Sequence, residues 1–221
     1  MIIPWFIYTF ILKEIYSVFK RRFVEGIREG TLDPAKFRYY IIQDYLYLID
    51  YARVFALGAA KSPDVPTMTA FAHECTSILD NEMDIHDGYM GKLAITEEEL
   101  ETTPMAIENA SYTAYMLRVA YEEDAKAILA GILACAYSYE ILAKRMVADR
   151  PECADDEMYG EWIQGYASAD YAEVSRDLIG VMDRLCAGIT EAEYEHLERI
   201  FVDCSRFETG FWDMAWNYGE E

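Results

Sequence analysis

The chain is poor in the residues that several common kinds of functional site require. It has three histidines, and its five cysteines never form a Cys-x-x-Cys pair. An odd number of cysteines without that spacing argues against a disulfide framework and a zinc site, and it suits a reducing, cytoplasmic location. A glycine-rich phosphate-binding loop is also missing. These shortages favour functions that need no bound metal or nucleotide cofactor.

Positive charge is scarce as well. Nineteen Lys and Arg residues face 40 Asp and Glu residues, which gives a formal net charge of -21. Nucleic-acid binding needs a basic stripe, and an anionic membrane surface attracts basic segments, so we expect neither partner. The short run Lys20-Arg21-Arg22 is too isolated to change that expectation.

The few histidines give poor metal-site patterns. Glu193-x-x-His196 has the spacing of half a di-iron carboxylate site, but no second Glu-x-x-His exists. His73-Glu74 begins like a zinc-protease motif, yet Ser77 stands where the second histidine belongs. His86 precedes Asp87-Gly88 and is expected at a helix end rather than on a haem. We therefore predict no metal site.

Alternating β-strand patterns are lacking, whereas helical periodicity runs through nearly every long segment. Hydrophobic residues make up 53% of the chain, so a packed core is expected. Helix starts are predicted at Asp33-Pro34 and Thr103-Pro104, and capping boxes at Thr96–Glu99 and Thr190–Glu193. A break is expected at Gly88 to Gly91. The prediction is one all-α domain over residues 1–221, a bundle of about seven to nine helices.

The first 20 residues form an atypical apolar segment. Met1 to Leu12 lacks the positive start and the cleavage site of a signal peptide, and it is shorter than the roughly 20 apolar residues that span a bilayer. We expect a terminal helix docked on the body or on a partner subunit. Membrane targeting stays open as an alternative.

Three segments place a polar residue one helical turn from an aromatic one. The pairs are Asp44 with Tyr47, Cys135 with Tyr139, and Glu208 with Phe211. Core packing is the ordinary role of aromatic residues and of a buried cysteine. A carboxylate with apolar neighbours must nevertheless be paired or functional. A thiol, two carboxylates and flat rings can together hold a planar heterocycle and act on it covalently.

The acidic triplet Glu122-Glu123-Asp124 suggests how a further aromatic residue, Tyr112, reaches Cys135. One straight helix would separate these two residues by about 35 Å at 1.5 Å per residue. Acidic residues favour a helix N-terminus, so a turn at the triplet could fold two helices antiparallel and bring Tyr112 back towards Cys135.

Ordered motifs along the chain resemble those of the TenA (thiaminase II) family. They are Phe23-Val24-Glu25-Gly26 with Gly30-Thr31-Leu32, Gln43-Asp44-Tyr45-Leu46-Tyr47-Leu48, Tyr112-x-x-Tyr115-Met116, Cys135-x-x-x-Tyr139-Glu140, Trp162-Ile163-x-x-Tyr166-x-Ser168 and Glu208-x-x-Phe211-Trp212-x-Met214-Ala215. Each motif alone is weak, but their order covers roughly residues 20 to 217. The family usually has His-Pro where this chain has Arg21-Arg22.

The resemblance implies a haem-oxygenase-like helical fold and an aminopyrimidine aminohydrolase of the cysteine-containing branch. Such an enzyme converts 4-amino-5-aminomethyl-2-methylpyrimidine to 4-amino-5-hydroxymethyl-2-methylpyrimidine and ammonia in thiamine salvage, and also hydrolyses thiamine. It implies no metal or organic cofactor and a homotetramer. The family's catalytic positions fall on Cys135 and Glu208. Its substrate-binding positions fall on Asp44, Tyr47, Tyr112, Tyr139, Tyr166 and Phe211.

Two other classes remain as alternatives. A non-catalytic pyrimidine-binding or regulatory protein would use the same aromatic cage but would need neither Cys135 nor Glu208. A haem or quinone-cofactor enzyme on the same fold would place histidines in the pocket, and the motif segments contain none.

Overall fold

The computed structural model describes residues 21–220, with the side chains of residues 81–87 outside the description. Ten α-helices dominate this part of the chain. They are α1 (Arg22–Glu29), α2 (Pro34–Ala60), α3 (Val65–Ser77), α4 (Met83–Leu93), α5 (Glu97–Thr102), α6 (Ile107–Glu122), α7 (Ala125–Asp149), α8 (Gly160–Ala167), α9 (Ala169–Leu185) and α10 (Glu191–Asn217). A π-helical turn lies at Ile78–Glu82 and a 3-10 turn at Pro151–Asp155. Residues 21–220 contain no strand, which confirms the predicted all-α class.

Local capping determines where several helices begin. The Asp33 side chain accepts a hydrogen bond from the Ala35 backbone N–H at 2.8 Å, ahead of α2. Both predicted capping boxes are present, at Thr96–Glu99 and Thr190–Glu193. The α1 helix ends at Gly30, whose positive φ of 68° favours a residue without a side chain.

Three local expectations were wrong. Thr103 ends α5 instead of starting a helix, and α6 begins only at Ile107. The break expected at Gly88 to Gly91 does not occur, because α4 continues through both glycines to Leu93. For the same reason, residue 86 lies inside a helix rather than at its end. The expectation for residues 1–20 concerns a segment outside the described residues.

Helix α7 is the centre of the bundle. It packs against α10, α8, α9 and α6. Sixteen of its residues, most of them apolar, are buried. Of the described helices it alone is long and apolar enough to cross a membrane, but 72% of its apolar window is buried inside the protein. Core packing is therefore sufficient to account for its hydrophobic character.

A tight turn joins α6 to α7 at the acidic triplet. Helix α6 ends at Glu122, and the Asp124 carboxylate accepts hydrogen bonds from the backbone N–H groups of Lys126 and Ala127 at 3.0 and 3.2 Å. This is the turn that the triplet predicted. It places Tyr112 close enough to Cys135 for the two side chains to interact electrostatically.

Candidate active site

One face of α2 supplies the first wall of the site. Tyr40, Asp44, Tyr47 and Tyr51 follow one another at spacings of four, three and four residues, so they share one face of the helix. All four are buried, and the Asp44 carboxylate is only 5% exposed. Helix α2 thus turns a carboxylate and three phenols towards the core.

Helices α7 and α10 supply the opposing walls. Cys135 and Tyr139 lie one turn apart on α7, and Glu208 and Phe211 lie nearly one turn apart on α10. All four side chains are buried; Cys135 is 8% exposed and Glu208 is 4% exposed. The two helices pack directly against each other, which places the thiol and the carboxyl in the same part of the core.

Aromatic contacts join these walls to α6 and α8. The Tyr47 ring centroid lies 5.3 Å from that of Tyr112 and 6.0 Å from that of Phe211. The Tyr139 ring centroid lies 4.7 Å from that of Tyr166 on α8. Cys135 is close enough to Tyr47, Tyr112 and Tyr139 to interact with each electrostatically. The structure therefore brings the eight predicted site residues into one connected cluster; their individual roles stay predictions.

Glu208 has the most unusual electrostatic setting in the cluster. Its pKa is raised to about 8, chiefly by burial and also by the nearby Asp44 carboxylate, whereas the hydroxyls of Tyr112 and Tyr139 limit the rise. Its Oε2 atom and the Tyr112 hydroxyl are both buried, and within the described residues neither makes a hydrogen bond of ordinary length and angle. Buried polar atoms normally pair with protein groups, water or a bound molecule. A carboxyl with this pKa is mostly protonated at neutral pH and can donate a proton.

A cavity of about 380 Å³ leads to this cluster from the surface. Asp44 and Tyr166 are part of its lining, together with Trp162. The other six predicted site residues are not part of that lining; the ring of Tyr139 packs behind it, with its centroid 5.8 Å from that of Trp162. The cavity has the size of a small-molecule site. Asp44 and Tyr166 belong both to its lining and to the cluster.

Sequence reasoning missed several residues that shape the cluster. The Tyr40 hydroxyl lies 3.3 Å from that of Tyr139, and the Trp162 indole N–H donates a hydrogen bond to Tyr40 at 3.2 Å. The Trp212 ring stacks on that of Tyr40, with centroids 5.6 Å apart. The position of Tyr40 four residues before Asp44 was the available signal. Three acidic residues of the cavity were also missed: Glu74, Glu161 and Asp170.

The side chains of the metal-like patterns form local contacts within the protein. The Glu193 carboxylate closes the capping box of α10, and the His196 imidazole pairs with Glu123. The His73 ring contacts its neighbour Glu74 on the surface. Among the described residues, no group of three or more His, Cys, Asp or Glu side chains could hold a metal ion.

Comparisons with known proteins agree with this architecture. The sequence matches the TENA/THI-4/PQQC family over residues 8–218. It is 41% identical over 194 residues to an aminopyrimidine aminohydrolase from Helicobacter pylori, which covers 88% of this chain and 89% of the relative. It is 42% identical over 195 residues to an aminopyrimidine aminohydrolase from Halalkalibacterium halodurans, covering 88% of this chain and 87% of that relative.

Solved structures have the same fold. A protein described as a TenA family transcription regulator from Silicibacter sp. TM1040 superposes with a TM-score of 0.85 and 28% identity, covering 92% of both chains. A domain of unknown function with a heme oxygenase-like fold from Shewanella denitrificans superposes with a TM-score of 0.79 at 12% identity, covering 97% of this chain and 92% of that one. The latter likeness shows the fold alone, and it is the fold that the motifs predicted.

Proposed function

Since this chain belongs to the TENA/THI-4/PQQC family, we propose that it is an aminopyrimidine aminohydrolase that acts in thiamine salvage. Its substrate would be 4-amino-5-aminomethyl-2-methylpyrimidine, its products the 5-hydroxymethyl pyrimidine and ammonia, and thiamine hydrolysis a related activity. The names of the two relatives above 40% identity support the reaction. The observation in this chain that carries the proposal is a buried carboxyl, Glu208, whose raised pKa and neighbouring tyrosine hydroxyls suit proton transfer.

The cage suits a planar, amino-substituted ring. Tyrosine and phenylalanine rings can enclose a pyrimidine on both faces while they exclude water. Asp44 would hold the edge formed by a ring nitrogen and the exocyclic amine, because a carboxylate accepts a hydrogen bond and balances charge on a protonated ring. Since Asp44 is buried at the lining of the cavity, a ligand that enters from the surface would meet it.

Cys135 is the proposed nucleophile. Its thiolate would add to the ring carbon next to the carbon that bears the aminomethyl group, which turns the ring into an enamine. The enamine electrons then expel the amine from the exocyclic methylene. Water adds to the methylene, and the thiolate leaves as the aromatic ring re-forms. The net change is the replacement of the amino group by a hydroxyl, with one water consumed and one ammonia released.

Glu208 is the proposed acid and base. In its protonated form it gives a proton to the leaving nitrogen, and the resulting carboxylate then takes a proton from the incoming water. The pKa of about 8 supports the first step, since the group holds its proton at neutral pH. The hydroxyls of Tyr112 and Tyr139 lie close enough to stabilise the carboxylate between the two steps.

An ammonia-release assay with the aminomethyl pyrimidine tests the proposal. The purified protein should release ammonia and the hydroxymethyl pyrimidine in equal amounts, and it should release them more slowly when Cys135 is replaced. A protein that binds the pyrimidine tightly but never turns it over would instead be the non-catalytic binding or regulatory protein. The net charge of -21 makes direct DNA contact by such a regulator unfavourable.

The oligomeric state and location belong to the same proposal. The family resemblance supports a homotetramer, and five reduced cysteines suit the cytoplasm. Light scattering on the purified chain would give four times the monomer mass of 25.5 kDa if the tetramer forms.

A further inference from the structure

Carboxylates line the cavity from its mouth to its inner wall. The four are Asp44, Glu74, Glu161 and Asp170, contributed by α2, α3, α8 and α9. Their exposure orders them by depth: Glu161 and Asp170 are exposed, Glu74 is half-buried and Asp44 is buried. No lysine, arginine or histidine is part of the described lining. A ligand therefore passes three acidic side chains, the acidic rim (Glu74, Glu161 and Asp170), before it reaches Asp44.

Basic side chains do little to neutralise this rim. Among the side chains that the structure describes, neither Glu161 nor Asp170 forms an ion pair, and Glu74 is paired only with the exposed imidazole of His73. Lys92 lies over the Tyr89 ring, 5.5 Å from its centroid, but it lines a separate depression. Clefts lined by charges of one sign concentrate ligands of the opposite sign and repel those of the same sign.

The charge of the rim bears differently on pyrimidine compounds that carry a positive charge and on those that carry a phosphate. The thiazolium of thiamine is a permanent cation. A phosphate ester instead carries about -1.5 to -2 charges at pH 7. Resting on the proposed function, we infer that Glu74, Glu161 and Asp170 select cationic, unphosphorylated pyrimidine substrates and exclude phosphate esters. Asp44, which is 5% exposed, is the buried carboxylate of the same lining.

The test compares thiamine with thiamine monophosphate, which differ in one phosphate group. The double variant Glu161→Gln with Asp170→Asn removes two rim charges without a large change in side-chain size. Asp177→Asn with Glu195→Gln is the matched control, since both residues are exposed and lie outside the cavity lining. The rim variant and the control have the same net charge. Both kcat/KM and the dissociation constant are measured for each compound, and circular dichroism checks folding.

Wild type should prefer thiamine over its ester, and the rim variant should reduce that preference roughly tenfold, while the control keeps it. That size follows from two rim charges facing a dianion, because each exposed charge pair changes an equilibrium constant by roughly 1.4- to 5-fold. High salt should also weaken the wild-type preference, because screening shortens the range of electrostatic interactions, and this measurement needs no variant.

The inference would be wrong if the rim variant and the control had the same preference for thiamine over thiamine monophosphate and salt left the wild-type preference unchanged. Such a result would point to exclusion of the ester by its size. The proposed function fails by a different result, the absence of ammonia release or thiamine cleavage by wild type. In that case the ratio of dissociation constants still decides whether the rim discriminates, since binding requires no turnover.

Discussion

The surroundings of Cys135 and Cys204 differ sharply, although both thiols are buried and lie one helical turn from another cluster residue. Cys204, on α10, has no exposed surface, and burial raises the pKa of its thiol well above the ordinary value, with Glu208 and Asp203 adding to the rise. A side chain on Gly131 would lie 3.4 Å from its sulfur, so α7 and α10 meet closely there. Cys135 lies instead among phenol hydroxyls and keeps some exposure.

The comparison shows that residue type and helical spacing do not distinguish the proposed catalytic thiol from a packing one. The Cys204–Glu208 spacing is the same as the Cys135–Tyr139 spacing. What separates them is the neighbourhood built by other helices. A cysteine packed against a glycine in a close helix contact is a small apolar side chain, whereas one that keeps some exposure near several tyrosine hydroxyls can do chemistry.

Replacing each cysteine in turn gives the largest expected difference. Cys135→Ser should fold normally and lose turnover, because a hydroxyl is a far weaker nucleophile than a thiolate. Cys204→Ala should retain most of the wild-type kcat and lose some stability through the small cavity it creates. Ammonia release and thermal melting measure both effects. If Cys135→Ser kept most of the wild-type kcat, covalent catalysis at this residue would be wrong.

Glu208→Gln tests the buried carboxyl of the cluster. Glutamine keeps the shape and accepts a hydrogen bond but cannot transfer the proton, so kcat for the aminomethyl pyrimidine should fall about 10²–10⁴-fold. Affinity for the product should change little. Thiamine should be affected less, because its thiazolium leaves without a proton. Equal losses for both substrates would remove the support for leaving-group protonation.

Asp44→Asn should weaken binding rather than chemistry. An amide cannot balance charge on the pyrimidine edge, and losing a hydrogen bond to a charged group costs about 1.5–3 kcal/mol. Calorimetry with the hydroxymethyl pyrimidine measures the loss. Asp50→Asn is the control, because Asp50 is on the same helix, lies outside the cavity lining and pairs with Arg53. Unchanged affinity in Asp44→Asn would place this residue outside the site.

The pH dependence should report the protonation of Glu208. Because its pKa is raised to about 8, the acid form predominates below pH 8 and is lost as the pH rises above it. The kcat for the aminomethyl pyrimidine should therefore fall about tenfold between pH 7 and pH 9. In Glu208→Gln the residual rate should lack this descent. If kcat fell with rising pH in the variant as it does in wild type, the titrating group would be a residue other than Glu208.

The smallest expected effect is that of a chelator. The proposed steps use a thiol, a carboxyl and water, so dialysis against EDTA should leave ammonia release unchanged. Activity that is lost and then restored by one particular divalent metal would favour the di-iron or zinc interpretation of the histidine patterns instead.

The sequence predicted the parts of the fold and the cluster that depend on local patterns. Helical spacing placed Asp44 with Tyr47, and acidic capping placed the turn before α7. The start of α6 was mispredicted because a distant residue controls it. The Gln43 side chain donates a hydrogen bond to the Pro104 carbonyl at 3.0 Å and accepts one from the Ala106 N–H at 2.9 Å. This contact ties residues 104 and 106 to α2 ahead of the first turn of α6.

The acidic rim escaped prediction for a related reason. Glu74, Glu161 and Asp170 come from three helices, and each alone looks like one of 40 solvated acidic residues. They line the same cavity only because α3, α8 and α9 pack around it. Tyr40 differs, since its spacing to Asp44 put it on the right face, yet its contact with Tyr139 depends on how α2 and α7 pack.

Alkylation of the wild-type chain by iodoacetamide, with and without the hydroxymethyl pyrimidine, tests most directly that the active site lies at Cys135. Peptide mapping follows each of the five cysteines while ammonia release is assayed. Activity should fall in step with labelling of Cys135, and the product should slow both by the same factor, whereas Cys204 stays unlabelled. Inactivation that follows labelling of Cys75 or Cys186, or product that gives no protection at Cys135, would contradict the account.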